Sequence, residues 1–175
     1  ESLKGFKFIP YYEGFKGTIK PMEIKGGIKY LIKGKYKRID EDTIQILELP
    51  IGTWTTDYKQ FLEDLIEGDG KKKSKSKSYV KDYVDMSTDR VVDFTVTFKS
   101  GILDKLETTM VEYNCTALEK FMKLYTTNTN TNMHMFDADD KLKLYKNAED
   151  IVNDYYVKRY SMYEERKKYL IEVLE

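Results

Sequence analysis

The sequence predicts an α+β fold, with a mainly antiparallel or mixed sheet, packed helices and a long projecting C-terminal helix. Three observations lead to this prediction. Apolar and polar residues alternate in short segments of the first half, helical spacing appears after Pro50, and an amphipathic pattern runs from Asn147 to the end. A chain of 175 residues is long enough for one domain with a core, or for one domain plus an appendage.

The first predicted strands carry lysines between apolar residues. Ile28, Tyr30 and Ile32 alternate with Lys29, Leu31 and Lys33, and a second alternation is centred on Ile44 and Ile46. Turns are predicted at 26–27 and 40–42. We therefore expect an antiparallel meander of about three strands with one buried face.

An amphipathic helix of about three turns is predicted after Pro50. Its apolar residues recur at helical spacing and Gly68 ends the pattern; they are Tyr58, Phe61, Leu62, Leu65 and Ile66. Trp54, just before this helix, is expected to pack into the core. The lysine- and serine-rich run 71–78 has no apolar residue to bury and is expected to form a mobile basic loop. It is either a tolerated insertion or a non-specific phosphate clamp.

The residue pattern in the middle of the chain predicts one strand and one capped helix. The strand pattern is the clearest in the sequence, with its apolar face formed by Val92, Phe94, Val96 and Phe98. Thr116 and Glu119 have the spacing of a capping box, which satisfies amides at the start of a helix. The expected helix face contains Leu118, Phe121, Met122 and Tyr125.

The polar segment 126–132 is ambiguous, because its composition indicates a loop whereas threonine favours strands. A short strand is predicted at Leu142, Leu144 and Tyr145. Asn147 and Asp150 resemble a helix cap, and the helix that follows has about 28 residues and a length of roughly 40 Å. Such a helix is expected to project and to need a partner helix for its apolar stripe. The alternative is that it packs on its own domain.

The charges are unevenly distributed although the net charge is zero. Residues 1–40 contain ten Lys and Arg against four acids, whereas residues 41–70 contain Lys59 alone against eight acids. A basic face can bind DNA, but lysines on an exposed strand edge also prevent aggregation. Charge alone leaves both interpretations open.

No catalytic or metal-binding residue is predicted. One histidine, His134, and one cysteine, Cys115, are too few for a zinc site, and no Cys–His pair is predicted from them. His134 is interpreted as a structural strand residue, and the aspartates at 137, 139 and 140 as a turn. No apolar run is long enough for a membrane span, and the single cysteine fits a reducing, intracellular compartment. The residues alone suit a DNA-binding scaffold and a non-catalytic protein-interaction module with a docking helix about equally.

Four segments resemble the eukaryotic-type (type IIA) DNA topoisomerase II family. In chain order they are 11–19 (YYEGFKGTI), 48–59 (ELPIGTWTTDYK), 124–137 (LYTTNTNTNMHMFD) and 155–167 (YYVKRYSMYEERK). The tryptophan segment is the most specific of them, although Gly52 stands where the family often has a basic residue. We expect the chain to be a piece of such an enzyme. The resemblance implies a tower domain over residues 1–145 and the first helix of the C-gate coiled coil over 146–175.

The resemblance also implies a function. The parent enzyme passes one duplex through a break in another with ATP and Mg²⁺, and its catalytic tyrosine and metal ligands are expected outside this chain, which needs no cofactor itself. The partners implied are double-stranded DNA, the winged-helix domain of the same polypeptide, contacted through Thr131 and Asn132, and a second copy in a homodimer. The nucleus, or the replication site of a large virus, is the expected location. The residues expected to bind DNA are Lys16, Lys29, Lys33, Lys35, Lys37 and Lys123.

Overall fold

The computed structural model describes residues 8–24, 27–67 and 79–175. Its strands are β1 (Thr18–Ile24), β2 (Gly27–Lys33), β3 (Lys35–Arg38), β4 (Thr43–Glu48), β5 (Val80–Asp85), β6 (Phe94–Phe98), β7 (Tyr125–Thr129), β8 (His134–Phe136) and β9 (Leu142–Leu144). Its α-helices are α1 (Thr55–Glu67), α2 (Ile102–Thr108), α3 (Ala117–Phe121) and α4 (Ala148–Leu174). The predicted α+β class is confirmed.

The strands form three sheets. The largest is antiparallel and has the order β3-β4-β6-β5, so that β3 and β5 are its edges. A second sheet has the order β1-β2-β7, and β8 pairs with β9 in an antiparallel hairpin. The expected single meander is therefore wrong, because the chain leaves one sheet at Lys33 and enters another at Lys35, with Gly34 between them.

The chain divides into two compact units. The core unit contains residues 11–20 and the described residues of 30–128. The hairpin–helix unit contains, among the described residues, 8–10, 21–24, 27–29 and 129–175. The expected boundary between residues 145 and 146 stays a prediction.

The hydrophobic core lies in the core unit, between the four-stranded sheet and α1. In the antiparallel register Ile44 is opposite Val96 and Ile46 is opposite Phe94, so that these four side chains share one face and are fully buried. Tyr58 of α1 is buried against them, and its hydroxyl donates a 2.7 Å hydrogen bond to the Met122 carbonyl oxygen. Burial strongly raises the pKa of Tyr58, so this tyrosine acts as a neutral core residue.

The capping box predicted at α3 is confirmed. The Glu119 amide donates to the Thr116 hydroxyl over 3.1 Å, and the Thr116 amide donates to the Glu119 carboxylate over 2.8 Å. The helix is shorter than expected, because Lys123 has a left-handed φ of 51° and ends it. Tyr125, which we expected on the helix face, belongs to β7 instead.

Trp54 is the clearest error of the core prediction. Its side chain is 74% exposed, because a turn closed by the Thr53 amide and the Pro50 carbonyl delivers it to the surface at the start of α1. The sequence pattern also did not identify β1, β3, β5 and α2, whereas the predicted strands at β2, β4, β6 and β9 are confirmed. The predicted basic loop 71–78, Gly26 of the first turn and Gly68 lie outside the described residues.

The C-terminal helix begins at its predicted cap. The Asp150 amide donates a 2.8 Å hydrogen bond to the side-chain oxygen of Asn147. Every residue from 155 to 175 is exposed, so the helix does not pack on its own unit there. Among the described residues, no helix combines the length and the apolar character that a membrane span requires.

Replacing Leu62 with Ala is expected to lower the free energy of unfolding by about 2–5 kcal/mol, because it opens a cavity against the sheet. Leu170→Ala, at an exposed position of α4, is the matched control and should cost less than about 0.5 kcal/mol. Urea unfolding at equilibrium measures both values. Equal losses in the two variants would contradict the core described above.

Candidate nucleic-acid interface

Two of the predicted lysines lie on an exposed sheet edge. Lys35 and Lys37 are exposed on edge strand β3, whereas Tyr36 between them packs against the core. Residues two apart in a strand share a face and are about 7 Å apart. Within the described part of the chain, neither lysine takes part in an ion pair. The edge therefore presents two exposed ammonium groups on one face of β3.

Two glycines allow backbone segments of the core unit to approach closely beside this edge. A Cβ atom on Gly17 would overlap the Lys33 carbonyl oxygen, and a Cβ atom on Gly34 would overlap the Glu48 carbonyl oxygen. The Gly34 amide donates a 2.9 Å hydrogen bond to the Leu124 carbonyl oxygen. Four segments, near residues 17, 34, 48 and 124, thus meet at one place, which we call the Gly34 crossing.

Lys16 lies at this crossing. Its backbone amide donates a 3.2 Å hydrogen bond to the Glu48 carboxylate, and Lys35 is the register partner of Glu48 across β3 and β4. Lys16 and Lys35 are consequently neighbours of the same residue, and both are exposed. The fold thus brings together two lysines that are nineteen positions apart in the sequence.

Lys123 is also next to the crossing, since it precedes Leu124. Its exposed ammonium group lies 4.1 Å from the centre of the Phe61 ring, a cation–π distance. The left-handed backbone of Lys123 turns the chain from α3 into β7. The aromatic contact orients this side chain without neutralising its charge.

Lys33 is placed differently from the other lysines of the set. Its ammonium group is 2.9 and 3.0 Å from the two carboxylate oxygens of Glu119. The Lys33 side chain is only 18% exposed and the Glu119 side chain 14%. Burial disfavours the charged form, but the Glu119 carboxylate outweighs this effect, so that the pKa of Lys33 is raised. Lys33 already has a counter-charge and joins β2 to the cap of α3.

The remaining predicted site residues lie in the hairpin–helix unit. Lys29 is half-buried in β2, whereas Thr131 and Asn132 are exposed between β7 and β8. The Asn130 side-chain oxygen accepts a 2.8 Å hydrogen bond from the Ile28 amide, and the Asn130 amide donates to the Ile28 carbonyl oxygen. This double contact holds the start of the 131–132 segment against β2.

Arg38 and the Gly34 crossing were not singled out by sequence reasoning. The Arg38 guanidinium contacts Asp104 at 2.7 Å and Glu107 at 2.9 Å, so that its charge is neutralised although it lies on the same edge strand as Lys35 and Lys37. The acids come from α2, which the sequence pattern did not predict. The signal for the crossing was present, since each of the two glycines directly follows a lysine.

Side-chain contacts in the described residues bear on metal binding and on the predicted turn at 137–140. No group of three or more histidine, cysteine or acidic side chains that could hold a metal ion is found in the ranges 8–24, 27–67 and 79–175. The interpretation of the 137–140 aspartates as a turn is supported, because the Asp137 carboxylate accepts hydrogen bonds from the amides of Asp139 and Lys141. His134 is in β8 as predicted, and its Nδ1 atom is 2.6 Å from the side-chain oxygen of Asn132.

A solved structure with this fold comes from Plasmodium falciparum. It is described as the crystal structure of the topoisomerase II DNA-binding, cleavage and re-ligation domain, and it is 38% identical to this chain. The match has a TM-score of 0.77 and covers 93% of this chain and 20% of the solved one. Fold and sequence together place the chain in the class of type II DNA topoisomerases.

The chain belongs to the family of the DNA gyrase/topoisomerase IV A subunits, whose model matches residues 1–175. Its curated relatives include DNA topoisomerase 2 of Plasmodium falciparum, 38% identical over 95% of this chain, and that of Pisum sativum, 36% identical over 93%. A mitochondrial DNA topoisomerase 2 of Dictyostelium discoideum is 32% identical over 97%. The chain spans only 10–12% of the length of these three relatives.

The resemblance to type IIA topoisomerase II is thus confirmed, and the relatives do not favour the alternative of a protein-interaction module. The predicted DNA-contacting lysines remain a prediction, because a match of sequence and fold does not test individual contacts.

Replacing Gly34 with Ala is expected to lower the free energy of unfolding by about 1–3 kcal/mol, because the added methyl group forces β3 and β4 apart at Glu48. Ser100→Ala, in an exposed turn, should change it by less than about 0.5 kcal/mol. Chemical denaturation measures both. A Gly34→Ala variant as stable as the unmodified chain would show that the segments are not in close contact.

The stability contributed by Lys33 should depend on pH in the alkaline range. Its pKa is raised above the ordinary 10.5, so the contribution is complete below about pH 10 and is lost as the pH rises through the folded-state pKa. The measurement is the difference in unfolding free energy between the unmodified chain and Lys33→Met at a series of pH values. A difference that stays constant to about pH 12 would contradict this assignment.

Proposed function

We propose that this chain is the part of a type II DNA topoisomerase that holds duplex DNA, with Lys16, Lys35, Lys37 and Lys123 as its principal phosphate contacts. The convergence of three of these lysines at the Gly34 crossing carries the proposal. Lys37 extends the same positive edge along β3. Together the four residues form what we call the lysine edge.

The lysine edge suits phosphate binding because the ammonium groups are exposed while their backbones are fixed. Close packing at the two glycines holds Lys16 and Lys35 in place, and the cation–π contact orients Lys123. Each ammonium group that neutralises a phosphate releases condensed counterions, so such binding is salt-dependent and insensitive to base sequence. Smoothly bending a short duplex costs about 1–6 kcal/mol, and phosphate contacts on a firm platform offset that cost.

Lys33 and Lys29 belong to the predicted set but have a lesser part in the proposal. The Glu119 carboxylate already neutralises Lys33, so its contact with a phosphate would require breaking an ion pair. Lys29 is half-buried, which limits the reach of its ammonium group. We expect both to contribute less than the lysine edge.

The rest of the proposed function concerns the whole enzyme. By analogy with its relatives, the parent protein passes one DNA duplex through another with ATP and Mg²⁺, using a tyrosine of a winged-helix domain. Thr131 and Asn132 are proposed to face that domain, and α4 to pair with a returning helix in a homodimer. The nucleus is the proposed location, with the replication site of a large virus as the alternative.

A salt titration of DNA affinity tests the lysine edge. Replacing Lys35 and Lys37 together with Ala should lower the slope of log K against log salt concentration by about two, since each phosphate contact contributes roughly 0.9. Fluorescence anisotropy with a labelled duplex of about 20 base pairs, measured from low to moderate salt, gives the slope. For each variant, the decrease in DNA affinity with rising salt should be the same for duplexes of unrelated sequence.

The control removes the same amount of charge from another part of the sheet. Lys81 is exposed on β5, the opposite edge, and Lys99 is exposed just after β6. Their double replacement with Ala should leave the slope nearly unchanged. The proposed contacts are refuted if the control lowers the slope as much as the β3 variant does, or if neither variant changes it.

A further inference from the structure

We propose that Asp154, Lys143 and Tyr145 form a clamp that sets the direction in which α4 leaves the β8–β9 hairpin. The three residues belong to the hairpin–helix unit. The geometry of the clamp does not rest on the proposed function; its consequence, the aiming of a dimer-forming helix, rests on the proposed role of α4.

One oxygen of Asp154 connects the helix to two residues of the hairpin. The Lys143 ammonium group is 2.6 Å from the Oδ2 atom of Asp154, and the Tyr145 hydroxyl donates to the same oxygen over 2.9 Å. The Lys143 ammonium group also lies 5.0 Å from the centre of the Tyr145 ring. These contacts join Lys143 of β9, and Tyr145 directly after β9, to Asp154 of α4.

Tyr145 is the fixed point of the clamp. It is only 5% exposed, whereas the β9 residues before it are exposed. Its amide donates a 2.9 Å hydrogen bond to the Met133 carbonyl oxygen, which continues the pairing of the hairpin beyond β9. Because Tyr145 is buried and its backbone is paired with the hairpin, its hydroxyl offers Asp154 a fixed point of attachment.

Asp154 lies at a position where its contacts can fix the tilt of α4 relative to the β8–β9 hairpin. Asn147 caps the first turn of α4, and Asp154 lies seven residues later, about two turns and 10 Å along the helix. A helix held only at its cap can pivot about that point, whereas a second attachment two turns away fixes its tilt. Lys143 and Tyr145 point to the same face of the hairpin, since they are two residues apart in a strand.

The clamp matters because the helix beyond it has no other support in its own unit. Residues 155 to 175 are all exposed, and the helical part of this stretch is about 30 Å long at 1.5 Å per residue. A change of about 10° in tilt therefore moves the far end by about 5 Å. Any partner that meets the tip encounters a position set at the base of the helix, where Asp154 adds a directional contact to the half-buried Ile151 and Val152.

The opposite charges of Lys143 and Asp154 stabilise a short polar contact that is still accessible to solvent. The Lys143 ammonium group and then the Tyr145 hydroxyl lower the pKa of Asp154, and Asp154 raises the pKa of Lys143. The side chains of Lys143 and Asp154 are 49% and 41% exposed. Exposed ion pairs contribute little to global stability, so the effect expected on removal is a change in helix direction and not unfolding.

The test measures the distance between the hairpin and the tip of the helix. Spin labels are placed at the exposed positions 139 and 168 in a chain whose buried Cys115 is replaced with Ala. Pulsed dipolar spectroscopy should give a narrow distribution for the otherwise unmodified chain. Asp154→Ala should broaden it by about 5 Å, as expected for a helix released by about 10°, and Tyr145→Phe, which removes only the hydroxyl, should broaden it less.

The control is Glu165→Ala, which removes an exposed carboxylate of the same helix about 16 Å farther along. It should leave the distribution narrow, and circular dichroism should show the same helix content in every variant. Should Asp154→Ala lose helix content, the distance distribution is measured in Asp154→Asn, which keeps the side-chain size and removes the charge. A broader distribution than in the unmodified chain is again expected.

Unchanged distributions in the Asp154 and Tyr145 variants would overturn the clamp. The experiment contains no DNA, so its failure is distinct from a failure of the lysine edge in the salt titration.

Discussion

The close approach of backbone segments at Gly34 is the constraint on which the arrangement of the core unit depends. Side chains normally keep neighbouring backbones apart, and Gly17 and Gly34 remove that barrier where β2 ends and β3 begins. The chain can therefore leave one sheet and enter the next within a single residue. The same approach positions Lys16 and Lys35 beside Glu48, so the packing of the fold and the placement of the proposed DNA contacts have one physical cause.

The basic residues of this region fall into two groups with different roles. Lys33 and Arg38 face carboxylates from α3 and α2 and hold these helices to the strands. Lys35 and Lys37 lie between them along the chain but on an open edge, where a phosphate can approach. A zero net charge is thus compatible with a locally positive edge, because the nearby acids of α2 and α3 pair with Arg38 and Lys33 and leave Lys35 and Lys37 without an ion pair among the described residues.

The two units use polar contacts for different purposes. In the core unit the capping box of Thr116 and Glu119 and the ion pair with Lys33 share one carboxylate, which ties a short helix into the hydrophobic core. In the hairpin–helix unit Asp154 adds a polar attachment of α4 to the packing of the half-buried Ile151 and Val152.

The sequence alone determined the fold class, the strands at β2, β4, β6 and β9, the helix α1, both helix caps and the family. The strands, the helix and the caps depend on the spacing of apolar and capping residues along a few turns or one strand, which is local information. The family was indicated by the resemblance of four sequence segments. Only the tertiary structure decided that Trp54 is exposed, that Tyr125 is in a strand, that Lys33 is paired while Lys35 is open, and that Asp154 meets Tyr145. Each of these outcomes depends on which distant segment lies opposite a side chain, and burial and charge pairing are properties of that encounter, not of the residue's neighbours in sequence.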